Sequence, residues 1–226
     1  MTAFCRRAAD VGSAPYVAPF AVFVAILSLR KLVPIAPLLL EVMFLAVMLA
    51  LIAAVARPAL DLSMRAPAAS ALAGVVVFVL WIAPDLLFPG YRHHLENSIT
   101  GTMQSTFPAA ARLSVSLLAL RTVRAVIIVP VVEELFWRAW LMRWIISPHF
   151  QKIPLGAYAP LSFWTVAVLF ASEHGPYWDV GLAAGILYNW WMMRTRSLGD
   201  LIFAHAVTNA CLSAYVIAAG KWEYWL

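Results

Sequence analysis

Glu133, Glu134 and Arg138 stand in the run VVEELFWRAW (131–140), whose other members are valine, leucine, phenylalanine, alanine and tryptophan. Further along, His174 closes FASEH, and His205 opens HAVTN, which ends on Asn209. These side chains form the inventory for hydrolysis: a carboxylate that takes a proton from water, imidazoles that relay one, and an amide that hydrogen-bonds an oxyanion. Glu134 and Arg138 are four residues apart with the acid first, the favourable geometry for an ion pair on one helix face. Glu133 lies about 100° further round the helix, which leaves it as an unpaired carboxylate facing a bundle interior, free to act as a general base. The plainer alternative is that both glutamates share Arg138. His205 and Asn209, four apart, share a face, and His174 follows Phe170 by four.

Such groups need elements to hold them, and the composition says which. The chain has 226 residues, 64% hydrophobic and 12% charged, with a mean hydropathy of +0.85. A soluble domain of this length could not cover that much apolar surface, so the expected fold is all-α: a polytopic transmembrane bundle. Apolar runs of about 17–25 residues cross the hydrocarbon core as helices. Seven spans are expected at Ala14–Leu29, Leu32–Ala56, Ala68–Phe88, Ala109–Ile146, Leu155–Ala171, Trp178–Met193 and Leu198–Ala219. A break near Pro130, which lacks a backbone donor, would make them eight. Residues 1–226 read as one membrane domain with its motif-bearing core at 109–219, and the chain's start reads as a first span, not a removable signal peptide.

Lysine and arginine in short loops set orientation. With seven spans and the N-terminus in the cytoplasm, Arg6, Arg7, Arg57, Arg65, Arg143, Lys152, Arg194 and Arg196 fall inside. Arg30, Lys31, Arg92 and Lys221 fall outside, with Arg112 near that boundary. The net charge of +5 is therefore topological and gives no nucleic-acid signal. Glu41, inside the second span, needs a cation, for which Arg121 and Arg124 are candidates. Asp85, Asp179 and Asp200 sit near span ends, from which they reach the interface. Cys5 and Cys211 have no framework spacing and suggest neither a disulfide nor a thiolate metal site.

EELFWR at Glu133–Arg138 resembles the EExxxR motif of the CAAX-protease and bacteriocin-processing family of intramembrane endopeptidases. FASEH resembles that family's FxxxH motif and HAVTN its HxxxN motif, in the family's order and with similar separations. The wording VVEELFWRAWLMRW is further similar to the CAAX prenyl protease-related proteins of bacterial exosortase systems. The resemblance implies that Glu133 and His174 orient and deprotonate the attacking water. It implies that His205 and Asn209 stabilise the tetrahedral oxyanion, that Glu134 and Arg138 support the site, and that Phe170 packs below the first histidine. Glu173 has no counterpart and reads as a solvated helix-end carboxylate.

A glutamate and two histidines are also a zinc set. HExxH is absent, however, and Asn209 is a poor zinc ligand and a good oxyanion donor, so the expectation is catalysis without a metal cofactor, with zinc as the alternative. The loop cluster His93, His94 and Glu96 reads as solvated. The expected function is cleavage of a membrane-associated protein, prenylated or C-terminally sorted, by an endopeptidase of a bacterial inner membrane. The partners are then a membrane protein or peptide substrate and the lipid bilayer, with no nucleic acid. The alternative is a non-catalytic immunity or scaffold protein that binds a peptide. A proton-relay transporter fits less well, because no internal repeat is visible.

Overall fold

The computed structural model describes residues 12–32, 35–96, 101, 105 and 107–225. Cys5, Arg6 and Arg7 lie outside the described residues. Among the described residues seven helices carry the fold: α1 Ala14–Leu29, α2 Pro37–Ala59, α3 Pro67–Leu87, α4 Val115–Trp144, α5 Pro160–Ser172, α6 Trp178–Thr195 and α7 Leu198–Ala219. Proline opens α2, α3 and α5, where its missing N–H falls among groups that have no intrahelical partner anyway. Ser114 caps α4 and Ser197 caps α7, each accepting from a backbone N–H three residues on. Gly220, at φ 67°, closes α7 in the left-handed conformation.

Among the described residues four helices, α2, α3, α4 and α7, are long and apolar enough to cross a membrane; α1 and α5 are shorter apolar helices. Outward side chains such as Val42, Leu72, Leu161 and Val168 are exposed, as a bundle solvated by lipid requires, and the protein is an integral membrane protein. Helix α4 is continuous, so the eight-span alternative is corrected. Pro130 does not split the run, because the pattern widens to i→i+5 at Arg124–Ile128 just before it and again at Leu135–Leu141. The expected start at Ala109 is also corrected: Ala109–Leu113 is a separate 3₁₀ turn, cut off by the Ser114 cap.

The two ends of the bundle are each tied by long-range bonds. At one end the Trp140 indole donates to Ser13 (3.0 Å) and Ser197 Oγ to the Ser63 carbonyl (2.7 Å). There Asp200 is fully buried. Its carboxylate accepts from the backbone N–H of Arg65 (2.6 Å) and Ala66 (3.0 Å) and from Ser70 Oγ (2.9 Å), so a residue of α7 holds the turn that leads into α3. The expectation that Asp200 reaches the interface is thereby corrected: three donors make a buried carboxylate tolerable. At the other end Arg92 holds Asp85 of α3 and Asp179 of α6 together, and Tyr224 donates to Asp85 at 2.7 Å. Glu41 pairs with Arg124 at 3.1 Å.

Candidate active site

Along α4, residues four apart form a stripe, and Arg121, Ala125, Val129 and Glu133 all line one cavity of about 1010 Å³. Glu133 is 8% exposed. Among the described residues its Oε2 is buried without a hydrogen-bond partner. Glu134, one position round, is fully buried and faces Arg138, whose Nη1 donates to both of its oxygens (3.3 and 3.2 Å). The two adjacent glutamates thus have different surroundings: one is saturated, the other keeps an open oxygen.

His174 lies in the same cavity. It stands in the turn after α5, not within a span, because α5 stops at Ser172. Thirteen residues rise only about 20 Å against a hydrocarbon core of roughly 30 Å, so the helix end is left at depth. Its Nδ1 donates to the Phe170 carbonyl at 2.7 Å, satisfying an orphan carbonyl of the last turn. That bond fixes the tautomer and leaves Nε2 as an acceptor. The Phe170 ring lies between the His174 ring (4.7 Å) and the Arg138 guanidinium (4.3 Å). Close approach of α6 completes the seat. Gly181 and Gly185 form a GxxxG pair, and a Cβ on Gly181 would lie 3.2 Å from the His174 ring. At Gly185 it would lie 3.1 Å from the Ala167 carbonyl. Small residues at this spacing let membrane helices touch backbone to backbone.

His205 is buried, and its Nδ1 donates to Glu134 Oε1 at 2.7 Å. Glu134 therefore has two partners, and its expected service to Arg138 alone is incomplete. Tyr188 stacks on the His205 ring at 5.0 Å and donates to Thr208 (2.7 Å). Arg138 Nε donates to Asn189 Oδ1 (2.9 Å), and Asn189 Nδ2 to the Phe163 carbonyl (2.8 Å). One guanidinium thus joins α4, α5 and α6. Asn209 Nδ2 donates to the Ala125 carbonyl at 2.8 Å. The cause is Pro130: in the i→i+5 pattern Val129 N–H bonds to Arg124, so Ala125 falls to residue 130, which has no N–H. Asn209 fills that gap with one of its two amide protons.

Glu133, Phe170, His174, His205 and Asn209 all line the cavity, as do Glu173, Trp81, Tyr188 and Thr208. Glu173 is exposed towards it. Trp81, Tyr188, Asn189 and the two α6 glycines were not singled out from the sequence. Of these, only GLAAG offered a local signal, since the others meet the site through tertiary contacts. Among the described residues no three His, Cys, Asp or Glu side chains are placed to share a metal ion. His93 contacts Glu96 at the surface (3.4 Å).

Residues 114–211 match the family model described as Type II CAAX prenyl endopeptidase Rce1-like. The match begins at the cap of α4 and takes in all three motifs. No curated protein and no solved structure matches the chain.

Proposed function

We propose, from the CAAX prenyl endopeptidase Rce1-like domain that residues 114–211 carry, that this protein is an intramembrane endopeptidase whose substrate is a membrane-associated peptide or protein. The observation that carries the reading is the open oxygen of Glu133 in a cavity shared with His174, whose other ring nitrogen is committed to Phe170. A buried carboxylate without a partner is costly in a membrane, and a structural role would have supplied one, as it does for Glu134.

In the mechanism, a water sits between Glu133 and His174 Nε2, and Glu133 takes its proton as the oxygen attacks the scissile carbonyl. The developing oxyanion accepts a hydrogen bond from the second Nδ2–H of Asn209, and one from Nε2–H of His205 when that ring carries both protons. Glu133 then returns its proton to the leaving amine. Glu134 acts through His205 and is a positioning residue. We read the reaction as one without a metal ion, because the amide of Asn209 is a poor zinc ligand and a good oxyanion donor.

The test is cleavage of single-span and lipidated peptides by the purified protein in bilayer discs, read by mass spectrometry, with and without a zinc chelator. Cleavage that survives chelation and vanishes in Glu133→Gln supports the reading. Peptide binding with no cleavage by either protein would favour a binding or immunity protein.

A further inference from the structure

Asn189 is fully buried, belongs to none of the three motifs, and lines the cavity no more than Arg138 or Glu134 does. It stands one step further along the α6 stripe that begins at Gly181. Gly181 lies against His174, the Gly185 carbonyl accepts from Arg138 Nη2 (3.5 Å), and Asn189 Oδ1 accepts from Arg138 Nε (2.9 Å). The partners settle which way the amide points. Arginine only donates and the Phe163 carbonyl only accepts, so Oδ1 faces Arg138 and Nδ2 faces the carbonyl, 2.8 Å away. An amide meets both demands. Leucine meets neither, and aspartate has no proton for the carbonyl.

Distances rank the contacts of the guanidinium. Arg138 Nη1 stands 3.3 and 3.2 Å from the two Glu134 oxygens, longer than the about 2.7–2.9 Å of a charge-assisted bond. Arg138 Nε is nearer to the neutral amide, at 2.9 Å. The close donor to Glu134 Oε1 is instead His205 Nδ1, at 2.7 Å. A guanidinium drawn fully onto Glu134 would take both oxygens in the two-pronged geometry that arginine and carboxylate favour, at the expense of the His205 bond. We infer that Asn189 is a positioning residue of the site: its neutral oxygen holds the Arg138 guanidinium off Glu134, which leaves Oε1 to fix His205. The inference rests on the endopeptidase reading, in which His205 faces the oxyanion. Neutrality matters as much as reach, because a carboxylate at residue 189 would compete with Glu134 for a single buried cation.

The experiment uses the full-length protein in bilayer discs with its histidines labelled by nitrogen-15. It follows the magnetic resonance signal of the His205 Nδ1–H proton, assigned by its disappearance in His205→Gln. Two substitutions should move that signal in opposite directions. In Asn189→Leu the guanidinium closes on Glu134, the His205 bond weakens and the signal moves upfield. In Asn189→Asp the guanidinium is drawn towards α6, Glu134 is left to His205 and the signal moves downfield. Asn189→Leu should also lower kcat at least tenfold with KM within twofold, because Asn189 touches no substrate. Thr195→Val, which removes a hydrogen bond from the same helix away from the site, should lower the melting temperature with neither effect. A signal that stays in place, or moves the same way in both variants, overturns the inference, and so does lost stability with unchanged kcat. Should Asn189→Leu fail to accumulate, the direction of the shift in Asn189→Asp decides alone. The two readings fail separately. Cleavage by the wild type with kcat indifferent to Asn189 keeps the enzyme and removes the positioning role. A His205 signal that follows Asn189 in a protein that cuts nothing keeps the network and removes the enzyme.

Discussion

At the scale of single residues, the adjacent carboxylates Glu133 and Glu134 should fail in different ways. Glu133→Gln removes a carboxylate with an open oxygen, so thermal unfolding in detergent should stay within about 0.5 kcal/mol of wild type. Turnover should fall by roughly 10²–10⁴, the usual contribution of a general base. Glu134→Gln strands Arg138 and should cost about 3–5 kcal/mol. The informative variant is the double one, Glu134→Gln with Arg138→Met. It should regain much of the stability, because no buried charge is left alone, yet stay slow, because His205 Nδ1 has lost the carboxylate it donates to. Full recovery of turnover in that variant would make the His205–Glu134 bond purely structural. The Glu134–Arg138 half of this arrangement was legible from four-residue spacing, which fixes a helix face whatever the tertiary fold. The His205 half was not, since the partners lie 71 residues apart and nothing local records their meeting.

At the scale of the helices, two irregularities position the chemistry. Without its N–H, Pro130 leaves the Ala125 carbonyl to Asn209, so the two residues should be energetically coupled. Asn209→Leu alone leaves a part-buried carbonyl unpaired, at a cost of about 1–3 kcal/mol. In a Pro130→Ala background, residue 130 supplies the missing N–H and the same change should cost at least 1 kcal/mol less; additive costs in denaturation would deny the coupling. Gly181→Ala places a Cβ 3.2 Å from the His174 ring. Overpacking of this kind costs about 1–3 kcal/mol, and turnover should drop further than stability does, because the displaced group is an imidazole of the site. A melting temperature that falls while specific activity is unchanged would place His174 out of reach of that pressure. Helix existence was legible throughout from hydropathy, and α7 was read to the residue. The i→i+5 segments were not, because proline in a long apolar run fits a break as well as a widened turn. GLAAG could have been read as a contact between helices, though its partner could not.

At the scale of the whole molecule, Arg57, Arg65, Arg143, Lys152, Arg194 and Arg196 gather at the end where α1 begins, the end that basic residues in short loops are expected to keep in the cytoplasm. Arg196→Cys and Lys221→Cys, in a cysteine-free background, should react with an impermeant maleimide from opposite faces, the former only in inverted vesicles; labelling from the same face would refute the placement. The Asp200 anchor of the turn before α3 has another consequence, one of time. Its carboxylate lies 135 residues beyond Arg65, and chains grow at about 5–20 residues per second. For roughly ten seconds of synthesis, the turn before α3 must borrow its hydrogen bonds from water or headgroups. The helix that brings His205 is thus also the one that anchors a turn made long before it. A chain halted short of α7 would show cellular quality control a loose turn as well as an unfinished site.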